Sequence, residues 1–116
     1  MKKIYHLGTC STCKRILSEL KIGKDVILQD IKTEKITAAQ LDEMAALAGS
    51  YEKLFSRVAM KYRILGLDKI ELKEKDFRKY ILEEYTFLKR PTIISGNKIF
   101  IGSTKSTIEA LKKEFK

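Results

Sequence analysis

The 116-residue sequence predicts an α/β fold: a four-stranded mixed sheet with a helical insertion between an N-terminal β-α-β unit and a C-terminal β-β-α unit. Three observations predict it. Short β-branched and apolar runs occur only towards the two ends, at 3–6, 26–31, 92–94 and 98–101. The middle, 38–88, carries helical periodicity and no strand signal. A Cys-x-x-Cys pair, Cys10 and Cys13, stands where the first strand hands over to the first helix.

The elements follow in order. Residues 3–6 read as a strand bounded by Gly8; Ile16, Leu17 and Leu20 then recur at helical spacing, with Gly23 as the expected stop. Val26, Ile27 and Leu28 open a second strand running to about Ile31, parallel to the first across its crossover helix. Thr37 and Gln40 have the spacing of a capping box, followed by an apolar stripe of Leu41, Met44, Ala45 and Ala48 that ends at Gly49. A helix is expected over 54–65, closing at Gly66, and another over about 73–84, where Phe77, Tyr80, Ile81 and Glu84 define two faces. After Pro91, two short strands across Gly96-Asn97 read as a hairpin. A second capping box, Ser106 with Glu109, is expected to open the last helix, which buries Ile108, Leu111 and Phe115. This order is the thioredoxin arrangement with extra helices in its middle. It predicts one domain over 1–116, with a core of about 1–37 and 89–116 and an insertion of about 38–88.

Composition narrows the function classes. Hydrophobic residues make up 44% and charged residues 34%, and the formal charge is +9. The lysines are spread along the chain, so the charge reads as a solvated surface able to attract oxyanions or acidic protein faces. No basic-aromatic stripe suggests direct sequence-specific nucleic-acid binding. No apolar run is long enough to cross a bilayer, and no signal pattern opens the chain, so a cytoplasmic protein with no membrane partner is expected. In that compartment two close cysteines point to catalysis or metal rather than a structural bridge.

The pair carries the chemistry. A thiolate attacks and a thiol does not; at an ordinary pKa near 8.5, only about 3% of a cysteine is ionised at pH 7. Cys10 precedes a helix, where unpaired N–H groups and the dipole favour an anion, and Lys14 and Arg15 add positive charge. Cys13, one turn on, is spaced to attack an adduct on Cys10. Cys10 therefore reads as the nucleophile and Cys13 as the resolving thiol. A lone Cys-x-x-Cys is also half of a zinc site, but only His6 is near enough in sequence to add a ligand, so no metal is expected. His6 reads either as a surface residue at a strand end or as a group that stabilises the thiolate or shuttles its proton. In a thioredoxin arrangement, a proline before the third strand is expected to have a cis peptide and to face the dithiol. Arg90-Pro91 fits that place and would hold Arg90 near the cysteines. Arg57 reads as a solvated helix residue or as a second guanidinium able to bind an oxyanion through paired hydrogen bonds.

Taken together, Tyr5-His6, the run Cys10-Ser11-Thr12-Cys13-Lys14-Arg15, Ser56-Arg57 and Arg90-Pro91-Thr92-Ile93-Ile94 resemble the arsenate reductase (ArsC)/Spx family over nearly the full length. In its glutathione- and glutaredoxin-linked arsenate reductases, one cysteine attacks arsenate while arginines hold the oxyanion. The resemblance implies Cys10 as that nucleophile, His6 as the histidine that helps ionise it, and Arg57 and Arg90 as two of the arginines. A third family arginine follows the last strand, where this chain has Gly102, and those reductases have no counterpart of Cys13. Both departures are similar to the Spx branch. Its members are redox-sensing transcription regulators, which dock on the C-terminal domain of the RNA polymerase alpha subunit. The expectation is a thiol-disulfide redox enzyme with no bound cofactor, acting on a small oxyanion or disulfide. Glutathione, glutaredoxin or thioredoxin would be the reductant or partner. The alternative is an Spx-like regulator.

Overall fold

A computed structural model describes residues 2–115. The chain forms two compact units, Met1–Lys35 with Arg90–Lys116, and Ile36–Lys89.

The first unit holds the sheet. Its strands are β1 (Lys2–His6), β2 (Ile27–Asp30), β3 (Thr92–Ser95) and β4 (Lys98–Ile101), in the order β2-β1-β3-β4. β1 runs parallel to β2 and antiparallel to β3, and β3 is antiparallel to β4, which is the thioredoxin-like mixed sheet the sequence predicts. β3 is buried along its whole length, as a central strand should be. At the hairpin, Gly96 takes φ +63° while Asn97 keeps a negative φ, the pattern of a turn with glycine at its first central position.

Helices α1 (Ser11–Glu19) and α5 (Lys105–Glu114) carry the apolar side chains that cover one face of this sheet. Ile4, Ile16, Leu20, Ile93, Leu111 and Phe115 form the core, with Leu17, Phe100 and Ile108 packed against it. Cys13 and Ile16 are buried on the same stripe of α1. Two predicted boundaries need correction. α1 does not run on to Gly23: Leu20 turns extended to drop into the core, and Gly23 instead accepts the Val26 N–H at 3.3 Å in the turn before β2. α5 is capped by Thr104, whose Oγ1 accepts the Thr107 N–H at 3.3 Å, two residues ahead of the Ser106–Glu109 box.

The second unit is helical. In α2 (Ala38–Ala48) the capping box is present in both directions: Thr37 Oγ1 accepts the Gln40 N–H at 3.1 Å, and Gln40 Oε1 accepts the Thr37 N–H at 3.0 Å. Gly49 closes the helix at φ +100°. Thr37→Ala removes one half of this box and is expected to cost about 1 kcal/mol, read as a lowered urea midpoint with an unchanged slope.

The region 54–65 departs from expectation. It is not one helix. A short turn over Glu52–Leu54 leads to an extended Phe55, bridged to Leu88 by the bonds Ser56 N–H to Phe87 O (2.7 Å) and Lys89 N–H to Leu54 O (2.8 Å). Only α3 (Met60–Ile64) is helical, and none of its residues is buried. Val58, Met60, Ile64 and Leu65 face solvent, so the periodicity that predicted a helix has no core behind it. α4 (Glu74–Glu83) forms where predicted and buries Phe77 and Ile81. Its Arg78 forks onto both oxygens of Asp42 in α2, at 2.9 and 3.3 Å, and Tyr51 donates to the same carboxylate at 2.6 Å. The Arg78 hydrogen bond, then Tyr51, hold the Asp42 carboxyl down to about 2. Among the described residues, no helix is long and apolar enough to cross a membrane.

Candidate functional site

Cys10 is the residue at which β1's exit loop becomes α1. Its φ of −87° and ψ of 115° are extended, and its carbonyl accepts the first helical bond from the Lys14 N–H at 3.1 Å. Its own N–H is tied back to Leu7 O at 3.0 Å. The thiol thus occupies the place where a serine or aspartate oxygen caps a helix. No side-chain atom makes a full capping bond there, but the Cys13 N–H is close enough to draw charge onto the sulfur.

Arg90 arrives from the other end of the chain. β3 pairs antiparallel with β1, with Tyr5 opposite Thr92. Continuing that register past the strand ends sets Arg90 level with Leu7, at the mouth of the loop that carries Cys10. The Arg90–Pro91 peptide is cis, and Pro91 is buried. The Pro91 carbonyl is fixed by the Gly102 N–H at 2.9 Å. Gly102 itself has φ +82°, a conformation that an arginine would adopt only with strain.

The two thiols are driven apart electrostatically. For Cys10, burial raises the pKa. The Cys13 N–H, the Cys13 thiol, and the hydrogen bond and charge of Arg90 outweigh it, so Cys10 ionises below the ordinary thiol range. For Cys13, burial dominates and the neighbouring Cys10 adds to it. A backbone hydrogen bond at Leu7 and the Arg90 charge offset only part, and the thiol is pushed up to about 11. Both cysteines are free thiols, Cys10 half-buried and Cys13 buried. Removing Arg90 should therefore raise the Cys10 pKa. With Arg90→Ala in a Cys13→Ser background, the alkylation midpoint is expected to move up in pH and the rate at pH 7 to fall about tenfold. Arg90→Lys, which keeps the charge and loses the fork, is expected to fall between.

His6 ends β1 opposite Asp30 in the register, and the Asp30 carboxyl is held below its ordinary range first by the Lys32 N–H and then by the Gly8 N–H, with His6 adding to them. Lys14 and Arg15 are exposed. Arg57 belongs to the helical unit, where its Nη2 donates to Glu52 Oε2 at 2.9 Å and its guanidinium lies 5.4 Å from the centre of the Phe77 ring. It also lines an open cavity of about 370 Å³ with Val58, Ala59, Met60 and Arg63. Among the described residues, no group of three or more His, Cys, Asp or Glu side chains gathers to hold a metal. Sequence reasoning passed over Asp30, whose carboxylate accepts the Gly8 N–H at 3.2 Å and the Lys32 N–H at 3.0 Å. An aspartate at a strand end carries no distinguishing signal in sequence.

The model of the ArsC family matches residues 5–111. The chain belongs to the ArsC family. Over 108 residues it is 26% identical to the arsenate reductase of Haemophilus influenzae, covering 90% of this chain and 93% of that one. A possible arsenate reductase from Streptococcus mutans UA159 is 26% identical, covers 96% of this chain and 97% of its own, and superposes with a TM-score of 0.75. An arsenate reductase-related protein from Brucella melitensis is 28% identical at a TM-score of 0.69, covering 94% and 92%. The ArsC match begins at Tyr5 and so takes in His6, both cysteines, Arg57 and Arg90-Pro91.

Proposed function

We propose that this ArsC-family protein is a thiol-disulfide redox enzyme of arsenate-reductase type, with Cys10 as nucleophile. One observation carries the reading: the sulfur at the helix start is pulled towards its anion while its neighbour, one turn on, is pushed up to about 11. In a pair split in this way the more readily ionised thiol is the attacking group and the buried one is held in reserve. The Cys10 thiolate forms a bond to the arsenic of arsenate, and a hydroxyl leaves as water after taking a proton. His6, four residues upstream, accepts the proton that ionises Cys10. Cys13 or glutathione then attacks the Cys10 sulfur. A disulfide forms, the sulfur–arsenic electron pair stays on arsenic, and arsenic falls from the +5 to the +3 state. An external thiol, glutathione or a glutaredoxin, restores Cys10. Arg90 holds the oxyanion, and family resemblance gives Arg57 the same task. The test is turnover of arsenate with glutathione and glutaredoxin. Reduction well above a Cys10→Ser control is expected, and none above it would remove the reading.

A second reading is a redox switch that docks on the C-terminal domain of RNA polymerase alpha. The Cys10–Cys13 pair and Gly102 in place of a third arginine favour it. Capture of that domain that changes between reducing and oxidising buffer would support it, and capture in neither would end it.

A further inference from the structure

We propose that Asp30 is a positioning residue for the thiol loop: by gripping the Leu7–Gly8 peptide group, its carboxylate sets where Cys10 stands. The inference rests on Cys10 being the reactive thiol proposed above.

His6 and Asp30 are partners in the parallel pair of β1 and β2, so the loops that follow both strands leave from the same edge of the sheet. The Asp30 carboxylate spans them, with Oδ2 on the Gly8 N–H at 3.2 Å and Oδ1 on the Lys32 N–H at 3.0 Å. The Gly8 N–H and the Leu7 C=O belong to one peptide plane, which turns only as a unit. That C=O accepts the Cys10 N–H at 3.0 Å. One plane is therefore held at both ends, by Asp30 on one side and by the nucleophile's own amide on the other. If the plane rotates, both bonds are lost together.

Three further observations agree. A Cβ on Gly8 would stand 2.5 Å from Oδ2, so a larger residue here would push the carboxylate aside. An N–H bonded to an anion polarises its peptide, which strengthens the C=O as an acceptor for Cys10. The Leu7 backbone also bonds the Cys13 thiol, so the same short segment sets the place of both sulfurs. A carboxylate beside a thiol opposes ionisation by its charge alone. A purely electrostatic Asp30 would thus slow Cys10, whereas a clamp speeds it by holding the sulfur at the helix start.

The opposite signs give the test. Iodoacetamide alkylation of Cys10 is measured at pH 7 in a Cys13→Ser background, together with amide hydrogen exchange at Gly8 and Cys10. For Asp30→Ala, alkylation about fivefold slower and Cys10 amide exchange about tenfold faster are expected, from loss of a charged hydrogen bond and of local protection. Asp30→Asn keeps one acceptor oxygen and should stay within about twofold of the parent rate. A folded Asp30→Ala protein alkylated at the parent rate or faster would overturn the proposal, and equal acceleration in both variants would assign a charge role instead. Should the alanine variant not fold, Asp30→Asn still decides. It offers one acceptor to two donors, so exchange must rise at Gly8 or at Lys32, and no rise at either rejects the clamp. A parent Cys10 no more reactive than a free thiol would sink the proposed function, but Cys10 amide exchange would still read the clamp independently.

Discussion

Cys10→Ser is expected to leave a protein that iodoacetamide hardly modifies at pH 8, whereas Cys13→Ser should be modified quickly at Cys10. With a pKa of about 11, the Cys13 thiol is ionised in only about one molecule in a thousand at pH 8, and it is buried as well. Burial is the main cause of that shift, so most of it survives removal of Cys10. Cys10 lies below the ordinary thiol range, so its alkylation should rise with pH and level off earlier than that of a free cysteine. The Cys10→Ser variant should react at least a hundredfold more slowly than Cys13→Ser, on the order of their thiolate fractions. The comparison is made by mass spectrometry of time-quenched samples. Equal rates in the two variants would show that the thiols are not differentiated and would remove the assignment of roles. The same difference predicts the order of oxidation: a reagent that traps sulfenic acid should label Cys10 in the Cys13→Ser protein and should find little to label in Cys10→Ser.

The second large effect is on stability and lies in the helical unit. Phe55 is fully buried and stacks on Phe87, with ring centres 4.9 Å apart and planes 21° apart; Phe77 lies at 4.9 Å and Tyr62 at 6.0 Å. Phe55→Ala removes the ring on which the other three converge, and its own backbone forms the bridge to Leu88. The expected loss is about 3–5 kcal/mol, from lost transfer energy and an unfilled cavity. That is a large part of the roughly 5–15 kcal/mol that holds a domain of this kind together. Equilibrium urea unfolding would read it, with Val58→Ala as the control. Val58 is 93% exposed, so its loss should stay within about 0.5 kcal/mol. A Phe55→Ala protein less than about 1 kcal/mol below the parent would mean that the ring cluster does not organise this unit. The cluster also bears on Arg57, whose guanidinium rests on the Phe77 ring and on Glu52, so loosening the rings should loosen the arginine.

Local chemistry was enough to read much of this protein from its residues. The Thr37–Gln40 box with Gly49 behind it, the Gly96 hairpin and the start of α1 at the cysteines each depend on neighbours within a few positions, and each formed where the pattern put it. The difference in surroundings between the two thiols was legible for the same reason. Cys10 precedes the helix and meets its N–H groups, whereas Cys13 falls three residues before Ile16 on the stripe that α1 turns to the core. What stayed hidden depends on partners distant in sequence. Periodicity over 54–65 promised a helix, but Phe55 is claimed by Leu88 and the stretch beyond has no core to face, so only five residues coil. The Thr104 cap displaced the expected box because a hydroxyl two residues earlier reaches the Thr107 N–H first. Arg90 reaches the Cys10 sulfur only because the β1–β3 register brings together segments eighty residues apart (90 − 10). Asp30 reaches Gly8 only because two parallel strands end level. Capping, turns and helix faces are settled by bonds between near neighbours, which a sequence displays directly. The guanidinium and the carboxylate at the thiol are placed by strand register, and that exists only once the sheet has formed.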